Sequence, residues 1–217
     1  MSAPHGCDDQ KGVLVASTER RIRAAAMRLF TARGGTQLTM SELANEAQVA
    51  RGTLYRNIGS IEQLFDTVLA EMCAELLERV SATFTEDDDA VTRVATGLRM
   101  LVRYGHQDPA VGRFIVRFTL TEEALRSVLT GPPMHDLRAG FAKGRYNIDE
   151  SMIMSAASLL VGATVSALSM VLEGHQTWRE AGSRAAELVL RALGIDAAEA
   201  HEIATADLRA LHPGSHR

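Results

Sequence analysis

Aromatic residues are scarce in this chain, at 5% of 217 residues, and proline is scarcer still, with five. No stretch alternates Val, Ile, Thr and aromatics at the two-residue period of a half-buried strand, which excludes a sheet as the organising core. Only two cysteines occur, Cys7 in a polar stretch and Cys73 in a helical one. These dissimilar surroundings argue against a disulfide. No CxxC or Cys/His spacing offers a metal site, so neither a metal nor a cofactor is expected and the chain reads as cytoplasmic. A secretory leader is not expected either, because Val13 to Ala16 is too short an apolar run and follows Asp8 and Asp9.

What the chain does hold is Ala, Leu, Arg, Glu and Met, the residues with high helix propensity. Apolar residues make up 46% and charged residues 23%, a globular balance that excludes disorder. The fold class is therefore all-α, and the length allows one ordinary domain plus a small one. The net charge of −4 is unevenly spread. Residues 18–60 hold seven arginines against Glu19, Glu42 and Glu46, a balance of +4, whereas residues 61–217 come to −7. A basic head on an acidic body suits DNA binding by one end. Ordinary surface scatter gives the same totals, and charge alone does not choose between the two.

Residues 1–17 lack periodicity and read as a flexible tail. From Thr18, the residues Ile22, Ala25, Ala26, Leu29 and Phe30 recur at helical spacing, and Gly34 and Gly35 end that helix. Thr39-Met-Ser-Glu42 then has the form of a capping box, in which hydroxyl and carboxylate each satisfy the other residue's amide. A short helix follows with Leu43, Ala44 and Ala47 inward. Gln48-Val49-Ala50 fits a tight turn, and Arg51 to Ile58 makes a second short helix. Two short helices behind a longer one form a helix-turn-helix, here within residues 18–62. Val49, Leu54 and Ile58 would face inward, leaving Arg51, Gly52, Thr53, Tyr55, Arg56 and Asn57 outside. Small residues at the helix start allow close approach to base edges, and Arg and Tyr reach phosphates or bases. A surface helix that happens to carry two arginines remains the alternative.

The stretch from Arg20 to Met72 resembles the DNA-binding domain of the TetR family along its whole length. AAMRLF at 25–30, LTMSELANEA at 38–47 and RGTLYRN at 51–57 carry the resemblance, in the family's order and spacing. It covers about a quarter of the chain, and the rest resembles the family only in helical architecture. It implies that Thr39 and Tyr55 position the head on phosphates, while Arg51, Gly52, Thr53, Arg56 and Asn57 read or border bases. The chain departs from the family's pattern at four places. Gln48 stands for the usual glycine, Ala50 for Ser or Thr, Asn57-Ile58 for His-Phe, and Ile61 for lysine. These bear on operator preference and phosphate affinity, not on the fold.

Residues 63–210 form the body. Ile61 to Phe84 reads as one helix, and Thr85 to Asp89 as a solvated acidic loop feeding the next. Further helices are expected over about 90–105, 109–119, 121–130 and 134–144, with breaks at Asp108-Pro109 and Gly131-Pro132-Pro133. Met152 to Leu172 carries no charge, but its hydroxyl residues and acidic flanks suit a buried interface helix rather than a membrane span. The resemblance implies that this helix and one at about 177–193 form a homodimer interface, through Leu159, Gly162, Ala163, Ser166, Met170, Trp178 and Leu188. A last helix would start at Asp196, and residues 211–217 read as frayed. Met100, Arg103, Tyr104, Phe114, Phe118, Met134 and Met154 offer walls and polar handles for a small apolar or amphipathic ligand. Core packing explains each of them as well.

The seven histidines pair with no nucleophile or carboxylate at a catalytic spacing, and no phosphate loop occurs, so an enzyme is not expected. The resemblance implies a ligand-responsive regulator, most often a repressor, acting on a double-stranded DNA operator. A helical ligand-binding dimer with weakened DNA binding is the alternative, kept open by Ala50 and Ile61.

Overall fold

A computed structural model of the chain describes residues 7–33, 37–85 and 88–209. Among these residues there are α-helices and one 3-10 turn, and no strand: the all-α expectation holds. The helices are α1 Cys7–Arg33, α2 Met40–Ala47, α3 Arg51–Asn57, α4 Ile61–Ser81, α5 Ala90–Gln107, α6 Pro109–Phe118, α7 Glu122–Thr130, α8 Pro132–Ala142, α9 Ile153–Leu172, α10 Trp178–Ala192 and α11 Ala197–Thr205. Two compact units divide at Leu69 and Ala70, within α4.

Residues 7–17, expected as tail, instead belong to α1. No proline interrupts the run to Arg33. Residues 1–6 and 210–217 of the expected tails, and the pair Gly34-Gly35, lie outside the described residues.

In the first unit, Ile22, Ala25, Ala26 and Phe30 of α1 bury with Leu43, Ala44 and Ala47 of α2, Leu54 of α3, and Ile61, Leu64, Phe65 and Val68 of α4. Phe30 meets Phe65 edge to face, with centroids 4.9 Å apart. Full burial of a side chain such as Leu54 is worth about 1.5–3 kcal/mol, while Leu29, Val49 and Ile58, also expected inward, are only partly buried.

In the second unit α5 is central, packing against α6, α8, α9, α10 and α11. Its crossing with α6 depends on glycine at two facing places. A Cβ on Gly112 would stand 2.5 Å from the Gly105 carbonyl oxygen, so both backbones touch with no side chain between them. Side-chain caps start several of the helices. Asp108 caps α6 through the amides of Ala110 and Val111, Thr177 and Glu180 form a capping box on α10, and Asp196 caps α11.

The acidic segment before α5 is not simply solvated. The Arg209 guanidinium grips Asp88 at 2.6 and 3.1 Å and also donates to the Thr83 carbonyl. That pairing holds the Asp88 carboxyl down at about 2. Asp89, at the N-cap of α5, accepts from Arg145 at 2.9 Å rather than from its own helix. Two acids of this loop, Asp88 and Asp89, are thus met by cations from distant segments, while Glu86 and Asp87 lie outside the described residues.

Candidate functional site

The helix-turn-helix is tied together by three interactions. The expected capping box is present: the Thr39 hydroxyl oxygen accepts from the Glu42 amide at 3.2 Å, and the Glu42 carboxylate accepts from the Thr39 amide at 2.7 Å. Arg33 of α1 donates to the same carboxylate at 2.6 Å, and these donors hold Glu42 down at about 2. At the other end of α2, Gln48 takes the left-handed conformation with φ 54° and ψ 44°, the only non-glycine at positive φ among the described residues. Arg21 of α1 donates to the carbonyls of Ala47 and Gln48 at that turn.

The α3 surface follows from this frame. Leu54 alone is buried, while Arg51, Gly52, Tyr55 and Arg56 are exposed, Tyr55 to 62%. Arg51 has no hydrogen bond or ion pair among the described residues, and Arg56 reaches only the Thr53 hydroxyl, at a long 3.4 Å. A Cβ on Gly52 would meet nothing within 4 Å, so the protein's own packing does not require glycine there. Within residues 18–60 each of the three acids has an arginine beside it: Glu19 with Arg23, Glu42 with Arg33, and Glu46 with Arg28.

The second unit contains an apolar cavity of about 110 Å³. Its walls come from the end of α4 (Cys73, Leu77, Val80), from α5 (Gly97, Leu101), from α6 to α8, and from α9 (Leu160, Thr164). Arg93 and Asp136 supply charge at one side. Among the described residues no three His, Cys, Asp or Glu side chains gather closely enough to hold a metal ion.

Two family models match the chain. Residues 22–68 match that of the bacterial regulatory proteins of the tetR family, and residues 89–206, more than half of the chain, match the tetracyclin repressor-like C-terminal domain. The chain belongs to the TetR family. The structure of RolR in complex with the ligand resorcinol is similar to it at a TM-score of 0.70 and 26% identity, over 92% of this chain and 99% of that one. A putative TetR-family regulator from Shewanella sp. PV-4 shares the fold at a TM-score of 0.72, with 18% identity over 81% of this chain and 97% of that one. Among curated proteins, the nucleoid occlusion factor SlmA of Vibrio cholerae is 24% identical over 97 residues, 45% of this chain and 50% of its own length. The chain thus spans about half the length of the curated relatives it matches.

Set against the TetR pattern, each departure has a physical correlate. Gln48 takes the left-handed turn position that glycine would occupy without strain. Ala50 leaves α3 without a side-chain cap. Ile61 is buried in the head's core, where a lysine would have been exposed or strained. Asn57 turns its amide back onto the Thr53 carbonyl at 2.6 Å, within its own helix. Thr39 donates its hydroxyl proton to Glu42 at 2.9 Å, so of the expected phosphate contacts its side chain is already engaged.

None of the seven residues expected to line a ligand pocket is on the wall of this apolar cavity; their neighbours are. Met100, Phe114, Phe118 and Met134 fill the core, with the Phe114 and Phe118 rings 4.7 Å apart and tilted by 59°. Tyr104 meets Arg79 through its hydroxyl at 2.6 Å, and Arg103 lies over Trp178. Met154 is 54% exposed on α9. Large side chains fill volume, so a cavity opens beside smaller ones such as Gly97, Ser127 and Thr164. Of the expected interface residues, Leu159, Gly162, Ser166 and Met170 lie on one exposed stripe of α9, and Leu188 is 65% exposed on α10. Ala163 and Trp178 are half-buried against the unit's own core. α9 with its preceding turn is long and apolar enough to cross a membrane, but α5, α6, α8 and α10 cover one side of it.

Proposed function

We propose that this TetR-family regulator binds a near-palindromic operator as a homodimer in the cytoplasm, represses the adjoining gene, and is released when a small molecule occupies the apolar cavity. The observation that carries the DNA half is the α3 surface: Arg51, Gly52, Tyr55 and Arg56 project from a helix held by Leu54, while each of the three acids between residues 18 and 60 has an arginine beside it. Arg51 and Arg56 reach base edges or phosphates, Tyr55 a phosphate, and Gly52 lets the backbone come close. Two recognition helices related by a two-fold axis fit half-sites about 34–36 Å apart. The exposed stripe Leu159, Gly162, Ser166 and Met170 supports pairing through α9, together with Leu188.

The ligand half rests on the cavity. Cavities on the order of 150 Å³ take up benzene, so a volume of about 110 Å³ suits a molecule of roughly one ring. RolR, which holds resorcinol, supports the same size class. Release is a population shift: the ligand favours a body conformation in which the two heads no longer match the half-sites. Ala50 and Gln48, which weaken the start of α3 and the turn before it, favour a second reading, a ligand-binding dimer with weak DNA affinity.

Fluorescence anisotropy of the purified protein on DNA from upstream of its own gene, at two salt concentrations, separates the readings. Tight binding that falls steeply with salt and survives excess random DNA is the expected result. Weak binding indifferent to sequence and salt would overturn the regulator in favour of the ligand-binding dimer.

A further inference from the structure

Two recesses of the second unit meet at one ion pair. The apolar cavity and a more polar groove of about 500 Å³ share Ser81, Phe84, Arg93, Pro132 and Asp136 in their walls, so the two volumes adjoin across Arg93 and Asp136.

That pair is not closed. Arg93 Nη1 stands 4.0 Å from Asp136 Oδ1, beyond the roughly 2.7–3.2 Å of a hydrogen bond. The rest of the Arg93 fork is engaged: Nε donates to the Asp88 carbonyl at 3.0 Å and Nη2 to the Thr85 carbonyl at 2.9 Å. Asp136 is only 7% exposed, and no hydrogen bond from the described residues reaches its carboxylate. Burial pushes its pKa up, with Arg93 and His135 opposing. A carboxylate this deep keeps few solvent contacts, and no donor among the described residues replaces the ones it has lost.

One guanidinium edge and one carboxylate therefore face each other across a gap suited to an atom that accepts from the first and donates to the second. A hydroxyl oxygen does both. A carboxylate guest would set like charge against Asp136, and an ammonium would do so against Arg93. An ether or carbonyl oxygen would satisfy Arg93 and leave Asp136 bare. The cavity beyond is apolar and of ring size.

Resting on the reading of this cavity as the ligand site, we infer that its ligand is an uncharged, hydroxyl-bearing molecule of about one ring, whose hydroxyl bridges Arg93 and Asp136 while its apolar body fills the cavity. The same geometry gives the hydroxyl leverage. Arg93 holds the Thr85 and Asp88 carbonyls of the segment joining α4 to α5, and Arg209 grips that segment through the Asp88 side chain. A guest that draws the Arg93 guanidinium toward Asp136 pulls on the one loop that connects α4 to the rest of the body.

Calorimetric titration of the full chain with phenol, anisole and benzoate tests this. Phenol is expected to bind at least about tenfold more tightly than anisole, which accepts but cannot donate, and benzoate is expected to be excluded. Asp136→Ala should bring phenol and anisole to parity while anisole binding, which reports an intact cavity, persists. Asp136→Asn, lacking the like charge, should admit benzoate. Parity of phenol and anisole on the parent protein, benzoate as the tightest guest, or no binding of any of the three at millimolar concentration overturns the inference; the parent ranking stands even where the alanine variant fails to fold. DNA release by phenol is scored separately by anisotropy. Binding without release would leave the recognition intact and overturn only the role of the cavity in regulation.

Discussion

The guanidinium of Arg21 holds the carbonyl oxygen of Gln48 at 2.6 Å, from a position 27 residues earlier in the chain. It takes the Ala47 carbonyl at 2.9 Å as well, so a single side chain of α1 closes the turn between the two short helices. The turn needs such a clamp because Gln48 adopts a left-handed backbone, which costs an L-residue on the order of 1 kcal/mol.

Gln48→Gly should raise stability by about 0.5–1 kcal/mol, the relief of strain less the greater freedom that glycine gives the unfolded chain. Arg21→Ala should lower it by about 2 kcal/mol, because two carbonyls lose a charged donor. Thermal unfolding of both variants by circular dichroism checks the pair. A glycine variant less stable than the parent would mean that the Gln48 side chain itself stabilises the turn.

Ala50 is the N-cap of α3, and nothing on its side chain meets the free amides of the first turn. Ala50→Ser should add about 1 kcal/mol to the head's stability and tighten operator binding, since the recognition helix is then held at its DNA-facing end. Chemical denaturation and an anisotropy titration read the two effects independently.

Removing the outward arginines of α3 should cost about 1–3 kcal/mol of operator affinity for each side chain. The salt dependence should also flatten by about one in log–log slope for every lost phosphate contact. The Arg51→Ala, Arg56→Ala double variant, compared with the parent over a salt series, supplies both numbers. Equal affinity would remove α3 from the interface.

Gly162 has open space where a Cβ would go, and its stripe on α9 is exposed. Gly162→Leu should leave the subunit folded and split the dimer, as should Leu188→Glu, with light scattering giving the mass. A variant that stays dimeric would place the interface elsewhere.

Glu42 and Asp88 are both held at about 2 by arginine partners, Arg33 and Arg209. A carboxyl lowered on folding stabilises the protein above its ordinary range and loses that contribution as the pH falls toward its folded value. The stability difference between the parent and Glu42→Gln should therefore be full above about pH 5 and shrink to nothing near pH 2. Acid titration at fixed denaturant measures it, and a difference that does not change with pH would deny the Arg33–Glu42 interaction its electrostatic character.

Helix boundaries marked by a cap or a proline were readable from the sequence to within a residue or two, whereas the start of α1 was not. The Thr39–Glu42 box and the Asp196 cap follow from side chains within one turn of the amides they satisfy, and periodicity found most helices of the body. The Thr177–Glu180 box has the same T-x-x-E spacing and was available by the same reasoning. The cavity was not readable. Periodicity tells which positions of α5, α6 and α8 turn inward, but a void depends on how side chains of several helices fail to meet. The inward Phe114, Phe118 and Met100 closed their share of that volume, and smaller neighbours left the gap. The ties made by Arg21 and Arg209 were equally hidden, since each joins segments far apart in sequence through backbone carbonyls that carry no sequence signature.

Trp178 is the chain's single tryptophan, and its ring lies beside two guanidinium groups, Arg103 at 5.4 Å and Arg179 at 4.3 Å. Intrinsic emission excited at the indole band therefore comes from one spot in the second unit, and the head contributes no tryptophan signal. A denaturation curve followed by that emission tracks the body alone, whereas far-ultraviolet ellipticity sums over every helix. Superposing the two curves turns the lone indole into a gauge of cooperativity: coincident midpoints mean that the units melt as one, and separated midpoints give each its own stability.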